Sequence, residues 1–481
     1  MPILSPDIIE SVQKPELFFG LVGAVGAPLK LVSQHLTTEL ENRGYHCHEI
    51  KLSQFLLEIK LDAPYPDGKS EYERRNCLMD RGNELRMRAN SGEILALLAA
   101  SKINGMREND EPLFGSSFIL NQLKHPHEVF WLRKIYGSAF HLIGIYSSDA
   151  EKKKYLQIAG MTSKEIEDII KRDEDEEFRF GQKLRDTFYL ADVFIRDGEG
   201  LCQQLTRYLK LLFGELDNKK IITPSVDEYG MFIAYSASLR SGNLSRQVGA
   251  AILNGTREIL SVGTNEVPCA IGGQYWPDSE GDSRDCTLGF DPNTQMKIDI
   301  IKEIIDVLNI DCPKDEIENR LRSTQIMNIS EFGRSVHAEM EAILAAGRLG
   351  VSARSSTLFS TTFPCHNCAK HIVNAGIKRV VYIEPYPKSH ASSLHNDSIC
   401  FSVDENNSEY KVRFEPFIGV APRKYWSLFS HQNEYGEKIK YKDSVGKISV
   451  EPKLRLFASS LSYIRREQSA AAAVINKFKY L

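Results

Sequence analysis

Three soft metal ligands that lie far apart in the chain constrain its folding more than any other feature: His337, then Cys365 and Cys368 within Phe363-Pro364-Cys365-His366-Asn367-Cys368. One imidazole and two thiolates are a donor set for tetrahedral zinc (Zn2+). A fold that uses them must bring position 337 to the mouth of the Cys-x-x-Cys loop. With three protein ligands the fourth position stays open for a water, whose pKa falls to about 7 on coordination. Glu339 stands two residues beyond the histidine, at the start of an expected helix. From there its carboxylate reaches the open position without joining the ligand set, which makes Glu339 the expected proton carrier. A Cys-x-x-Cys pair alone could be a redox pair or half of a structural zinc site. A closed structural site would need a fourth protein ligand, and His366 inside the loop points badly for one.

At 481 residues, and with about 150 residues per domain, two or three domains are expected. The 60 basic and 64 acidic side chains leave a formal charge of -4, which argues against a strongly basic nucleic-acid binder and favours small-molecule chemistry. Nine cysteines, an odd number without a disulfide-rich layout, fit a reducing cytosol. The start of the chain lacks a basic region followed by an apolar run, and no segment approaches the ~20 apolar residues that span a bilayer. A soluble, cytoplasmic protein without a membrane partner is expected.

The first part of the chain reads as α/β. An apolar run at 16–22 enters the glycine-rich turn Gly23-Ala24-Val25-Gly26, and Leu29, Val32, Leu36 and Leu40 then recur at helical spacing up to a stop at Gly44. Strand, glycine loop and helix together present backbone N–H groups to an anion. Gly23, Gly26 and Lys30 are the candidate nucleotide-binding residues. A complete phosphate loop has Lys and then Ser or Thr after its last glycine; here Ala27, Pro28 and Leu29 precede Lys30, so ATP hydrolysis is not expected even where binding survives. The plainer alternative is a tight strand-to-helix turn. Further strands are expected at 45–52, 139–146 and 191–195, with helices at 91–103 and 163–182. The charge run 171–177 reads as a solvated or lid-like helix. Arg74, Arg75, Arg81, Arg86 and Arg88 cluster on another helix, either facing phosphates or RNA or forming a solvated face. This part resembles the nucleotide-kinase branch of the P-loop fold with a degenerate phosphate loop. The polar, proline-punctuated stretch 215–224 places a boundary between domains 1–220 and 221–481.

In the second part a helix from Asp227, a strand ending near Ile252, an Asn254-Gly255 turn and a returning strand at 258–263 precede the helix of His337. The strand 357–360, the Cys365/Cys368 helix and the strand 379–383 complete a β-β-α-β-α-β order. The H-x-E…P-C-x-x-C pattern resembles that of zinc nucleobase deaminases. The resemblance is closest to deoxycytidylate deaminases, through R-x-V-G-A at 246–250, G-x-N-x-x-P at 263–268, H-A-E at 337–339 and T-x-F-P-C-x-x-C-A-K at 361–370. It implies a C-terminal cytidine deaminase-like α/β/α domain, which with the nucleotide-kinase resemblance of the first part gives an α/β chain with an N-terminal P-loop kinase-like domain ahead of it. Asn265 would bond the sugar, and Ser360 to Phe363, Thr361 included, would flank the base. Arg246 and Lys388 are the candidate cations for the substrate phosphates. An insertion at about 270–330, with a helix expected at 295–309, departs from the family pattern and reads as a lid, an oligomer contact or an allosteric nucleotide pocket. Cys269, Cys286 and Cys312 lie in it without the spacing of a second zinc site. A helical tail carries the alanine run 470–473.

With Y-P-K-S at 386–389 and F-x-P-F-x-G-V-x-P-R at 414–423, the whole chain resembles bacterial two-domain deoxycytidine-nucleotide deaminases of phage defence. That resemblance implies hydrolytic deamination of dCTP and dCMP, which drains the pool that phage replication needs. It implies as partners a deoxycytidine nucleotide substrate, dTTP or another nucleotide effector, a small inhibitory RNA and a homo-oligomer. Two other readings stand beside it. One is a nucleotide- or RNA-sensing protein whose deaminase half is a controlled output. The other is a nucleic-acid deaminase, which would need stacked aromatics interleaved with basic residues, and no such stretch is present.

Overall fold

The computed structural model describes residues 14–174, 181, 183–308, 313–329, 331–386, 388–401, 410–433, 436–450, 452–455 and 462–478. The chain forms two compact units. One comprises Met1–Pro224 with Ile418–Leu481, the other Ser225–Phe417.

The first unit is built on β1 (Leu17–Gly23), all seven residues of which are buried. Such an unbroken apolar run is what a central parallel strand covered on both faces requires. It leads through residues 24–28 into α1 (Leu29–Asn42), then β2 (His46–Lys51), α2 (Glu71–Arg88), α3 (Ile94–Asn104), β3 (Ser116–Asn121), α4 (Pro126–Tyr136), β4 (Phe140–Tyr146), α5 (Asp149–Ile158), α6 (Ser163–Glu174), β5 (Val193–Arg196) and α7 (Leu201–Leu212). The strands lie in the order β2-β3-β1-β4-β5, all parallel. The chain therefore crosses from one side of β1 to the other between β3 and β4. In open parallel sheets, ligands settle in the crevice at such a reversal, beyond the strand ends. The expected continuation of α6 through 175–180 lies outside the described residues.

Arginines in α2 do not form one surface. Arg81 is fully buried and donates to the carbonyls of Leu56, Ala63 and Ile59 at 2.7, 2.5 and 2.8 Å. It ties the preceding segment to the helix, so neither a solvated face nor an RNA contact describes it.

The second unit begins with α8 (Val226–Ser238), followed by β6 (Gly249–Leu253), β7 (Ile259–Thr264), α9 (Pro292–Leu308), α10 (Lys314–Arg322), α11 (Ala338–Arg348), β8 (Thr357–Thr362), α12 (His366–Asn374), β9 (Arg379–Glu384), β10 (Ile399–Cys400) and β11 (Val412–Pro416). The sheet order is β10-β11-β9-β8-β6-β7, antiparallel across β7, β6 and β8 and parallel from β8 outward. Ala338, Ala342 and Ala346, one helical turn apart, are buried on α11. This narrow face lets the helix lie close on the sheet. At Gly263 the approach is so tight that an added Cβ would stand 2.1 Å from the Ala338 carbonyl oxygen. The insertion folds α9 and α10 around Ile301, Ile305 and Ile317; Cys312 lies outside the described residues.

The expected single boundary near 220 is corrected by the return of the last segment to the first unit. Its strand β12 (Gly419–Val420) pairs antiparallel with β5, and Ala421 N–H donates to the Asp192 carbonyl at 2.9 Å. The helices α13 (Pro422–Phe429) and α14 (Ser462–Phe478) follow, and α14 packs on α3 and α4. No helix among the described residues is long and apolar enough to cross a membrane.

Candidate metal centre and catalytic cleft

Two helix N-termini converge beyond the end of β8. His337 occupies the N-cap position of α11 and Cys365 that of α12, with Cys368 in the first turn. His337 Nδ1 lies 3.3 Å from each of the Cys365 and Cys368 sulfurs, and the Cys368 N–H donates to Cys365 Sγ at 3.4 Å. The three ligand atoms all lie within 4.8 Å of one another, and no other such group occurs among the described residues. One imidazole and two buried thiols gathered on one point fit a tetrahedral zinc ion with one position left over. Contact with Cys368 holds the Cys365 thiol far below its ordinary range, against the effect of burial and with help from His337. The positive ends of the two helices act in the same direction. The contact with Cys365 in turn raises the His337 imidazole, which burial opposes.

Glu339 follows in the first turn of α11, only 4% exposed. Burial raises its carboxyl above the usual range, and the neighbouring charge on Cys365 adds to that. Its Oε1 lies 3.0 Å from the Ser360 hydroxyl, which also lies 2.7 Å from the Thr362 carbonyl. A hydroxyl has one proton for these two acceptors. When Glu339 is protonated it donates to Ser360, and when it is ionised it accepts. The contact can therefore persist in both protonation states of the carboxyl.

These groups open on a cleft of about 200 Å³ lined also by Asn243, Arg246, Asn265, Asn293, Arg334, Thr362 and Tyr386. Arg246 stacks on the Tyr386 ring, 4.5 Å from guanidinium carbon to centroid, with Glu384 at 3.7 Å. Asn265 accepts from Val248 N–H at 2.7 Å and donates to the Arg246 carbonyl at 2.8 Å. It shapes the turn that presents Arg246, and its amide keeps a second N–H and a second lone pair for a ligand. Thr361 is placed otherwise than expected. Side chains alternate along β8, so Ser360 and Thr362 share the cleft side while Thr361 turns away and accepts the Gly249 N–H at 3.1 Å. Lys388 is exposed and does not line the cleft.

Three residues of this wall escape sequence reasoning because they flank or belong to the insertion. Arg334 is held by the Ser283 carbonyl and by Asp285 at 2.9 and 3.0 Å. Asn293 donates to the Ile329 carbonyl at 3.1 Å and leaves its buried Oδ1 without a partner. Asp285, the third, also lines the cleft, and burial raises its carboxyl. A basic residue three positions before the ligand histidine was the available signal for Arg334.

Residues 224–384 match the family model of the cytidine and deoxycytidylate deaminase zinc-binding region. The second unit carries a deaminase zinc-binding region of this family. Its metal is zinc, and His337, Cys365 and Cys368 form the group of side chains among the described residues that could hold it. The deoxycytidylate deaminase of enterobacteria phage T4 is 48% identical over 54 residues, which are 11% of this chain and 28% of that protein. That of Saccharomyces cerevisiae is 26% identical over 240 residues, 48% of this chain and 63% of that one. The chain thus spans less than two thirds of either relative. The apo crystal structure of dCMP deaminase from cyanophage S-TIM5 aligns with a TM-score of 0.23 and 18% identity, covering 40% of this chain and 99% of that one.

Proposed function

We propose that the protein hydrolytically deaminates deoxycytidine nucleotides, dCTP and dCMP, to the deoxyuridine nucleotides and ammonia. The observation that carries this reading is a nearly fully buried carboxylate, Glu339, set between a zinc-ligand triad and an open cleft. Zinc, when bound, supplies Lewis acidity that makes water a nucleophile near neutral pH. The chain does the rest. Glu339 takes the proton that water loses as it adds to C4 of cytosine and delivers it to ring N3, then carries the proton of the new C4 hydroxyl to the amino nitrogen as the C4–N bond breaks and the C4 carbonyl forms. Ser360 keeps the carboxylate aimed in both protonation states. Arg246 and Arg334 supply the fixed positive charge for the substrate phosphates, and Asn265 the bond to the sugar. The relatives named deoxycytidylate deaminases favour the nucleotide over nucleic acid as substrate.

The first unit, in this reading, is a P-loop-like nucleotide-binding unit with Gly23, Gly26 and Lys30 at the nucleotide. Its support is the central strand, the glycine loop beyond it and the reversal of strand order at that point. Loss of dCTP would deprive a replicating phage of a precursor, which is the defence role that the family resemblance suggests. Replacing Glu339 by Gln is expected to leave zinc bound and to lower ammonia release from dCTP and dCMP by about a hundredfold to ten-thousandfold. Normal turnover in that variant would overturn the assignment.

A further inference from the structure

The glycine loop after β1 already holds an anion, and the chain supplies it. Asp173, in the last turn of α6, is fully buried. Its Oδ2 accepts the Val25 N–H at 2.7 Å, and its Oδ1 lies 2.6 Å from Lys124 Nζ. Lys124 also donates to the Gly23 carbonyl at 3.3 Å. Gly26 sustains this loop at φ +89°, and a Cβ there would come within 3.0 Å of the Lys152 carbonyl oxygen. A loop N–H and a lysine ammonium are the groups that a phosphate would use at such a strand-to-helix turn.

The surrounding cleft, about 290 Å³, is lined by Lys30, Lys51, Arg74, Arg75, Arg86 and Lys124 against Asp173 as the one acid among its lining residues. Arg74 and Arg75 are paired with Glu71. Arg86 is different. It is 2% exposed, lines the cleft, contacts Glu128 at a long 3.4 Å and leaves its Nε without a partner. With Lys51 near Glu49, Arg74 and Arg75 sharing Glu71, Arg86 on the buried Glu128 and Lys124 on Asp173, the cations of the cleft still outnumber the carboxylates that meet them, and the Arg86 guanidinium is short of an acceptor, so the site has room for further negative charge.

We propose that this cleft binds the phosphate chain of a nucleoside triphosphate, and that Asp173 is an internal stand-in for one phosphate, which the ligand displaces from Val25 and Lys124. The inference rests on the nucleotide-binding reading of the first unit and adds to it a competitor within the chain. Helix α6 is held partly by groups nearer the surface, Arg172 on Asn76 and Asp80 and Tyr72 on Asp168. Its apolar residues Ile166 and Ile169 belong to a small cluster separate from the main core. Displacement of Asp173 therefore removes the bonds of α6 to Val25 and Lys124 without opening the sheet, and ligand binding loosens that helix around Asp173.

The test uses the full-length protein, with ATP and inorganic triphosphate as probes in calorimetry. Asp173→Asn keeps the volume and removes the competing charge, and it is expected to bind ATP at least tenfold more tightly than the unaltered protein. Lys124→Met in the same background is expected to abolish that gain. Comparable binding of inorganic triphosphate locates the affinity in the phosphate chain, whereas binding of ATP alone would overturn the phosphate-chain assignment. Amide exchange in the unaltered protein gives a readout independent of any variant: ATP is expected to accelerate exchange at the C-terminal turn of α6. If the unaltered protein binds ATP as tightly as Asp173→Asn and α6 exchange does not change, the stand-in role is wrong while nucleotide binding stands. If no form of the protein binds either probe, the nucleotide-binding reading fails and this inference with it.

Discussion

Ser360 is the one hydroxyl bonded to the carboxyl of Glu339, the proposed proton carrier, among the described residues. It is fully buried and bonded to Glu339 and to the Thr362 carbonyl. Ser360→Ala removes only the hydroxyl. The expected outcome is unchanged zinc content with ammonia release reduced about tenfold to a hundredfold, the usual cost of losing a partner one layer outside a metal site. Metal analysis alongside turnover checks it; loss of zinc would mean that Ser360 supports the fold rather than the carboxylate. The metal ligands and Glu339 were legible in the sequence because ligand chemistry demands particular residue types at short spacings. Thr361 was misplaced because a strand's alternation assigns faces only once its register is known, and Thr362 took the place expected of its neighbour. Asn293 was hidden because nothing in a long insertion says which of its residues returns to the cleft, and Arg334, just after the insertion, offered only its place three positions before His337.

At the scale of elements, the zinc centre depends on where α11 begins, and that is set by a close approach rather than by any ligand. Gly263 on β7 lies under the first turn of the helix, with Ala338 and Ala342 directly above it. Gly263→Ala would place a methyl group where the Ala338 carbonyl stands, next to both His337 and Glu339. A buried clash with backbone cannot be relieved by a rotamer change. Helix α11 must therefore shift, and His337 with it. The expected result is loss of bound zinc at a chelator concentration that the unaltered protein withstands, measured by metal retention after dialysis, while the first unit keeps its thermal transition. The glycine was visible at the end of the returning strand 258–263 and in the G-x-N-x-x-P segment at 263–268, but neither pattern assigns it a packing role. Its role as a seat for a helix 75 residues later depends on tertiary packing. Local patterns found the other elements well, since β1 and β4 are mostly apolar runs buried along almost their whole length, and α1 and α11 have a periodicity that matches the face they bury.

At the scale of the whole molecule, the chain's path was the least legible property, because the segment after Phe417 has no sequence mark of belonging to the first unit. What holds it there is a buried charge cluster. Arg107, at the end of α3, donates to Glu467 of α14 at 2.6 and 2.9 Å and to Glu16 at 2.9 and 3.0 Å, and all three side chains are fully buried. Tyr463 donates to Glu16 from the same helix. Burial raises the Glu467 carboxyl despite Arg107, which reflects the cost of holding two acids in one apolar place. Removing the cation should therefore cost more than the ion pairs themselves are worth. Arg107→Met leaves two buried carboxylates facing each other, and about 3 to 5 kcal/mol of the first unit's stability should be lost. Replacing all three charged groups, Arg107→Met with Glu16→Gln and Glu467→Gln, should recover most of that loss, since no uncompensated charge remains. Amide exchange of the β1 core under native conditions isolates the first unit from the second and gives the difference directly. Equal losses in the single and triple variants would show that α14 is held by its apolar contacts, Ile464 and Ala470 among them, and that the charge cluster only selects which helix docks there.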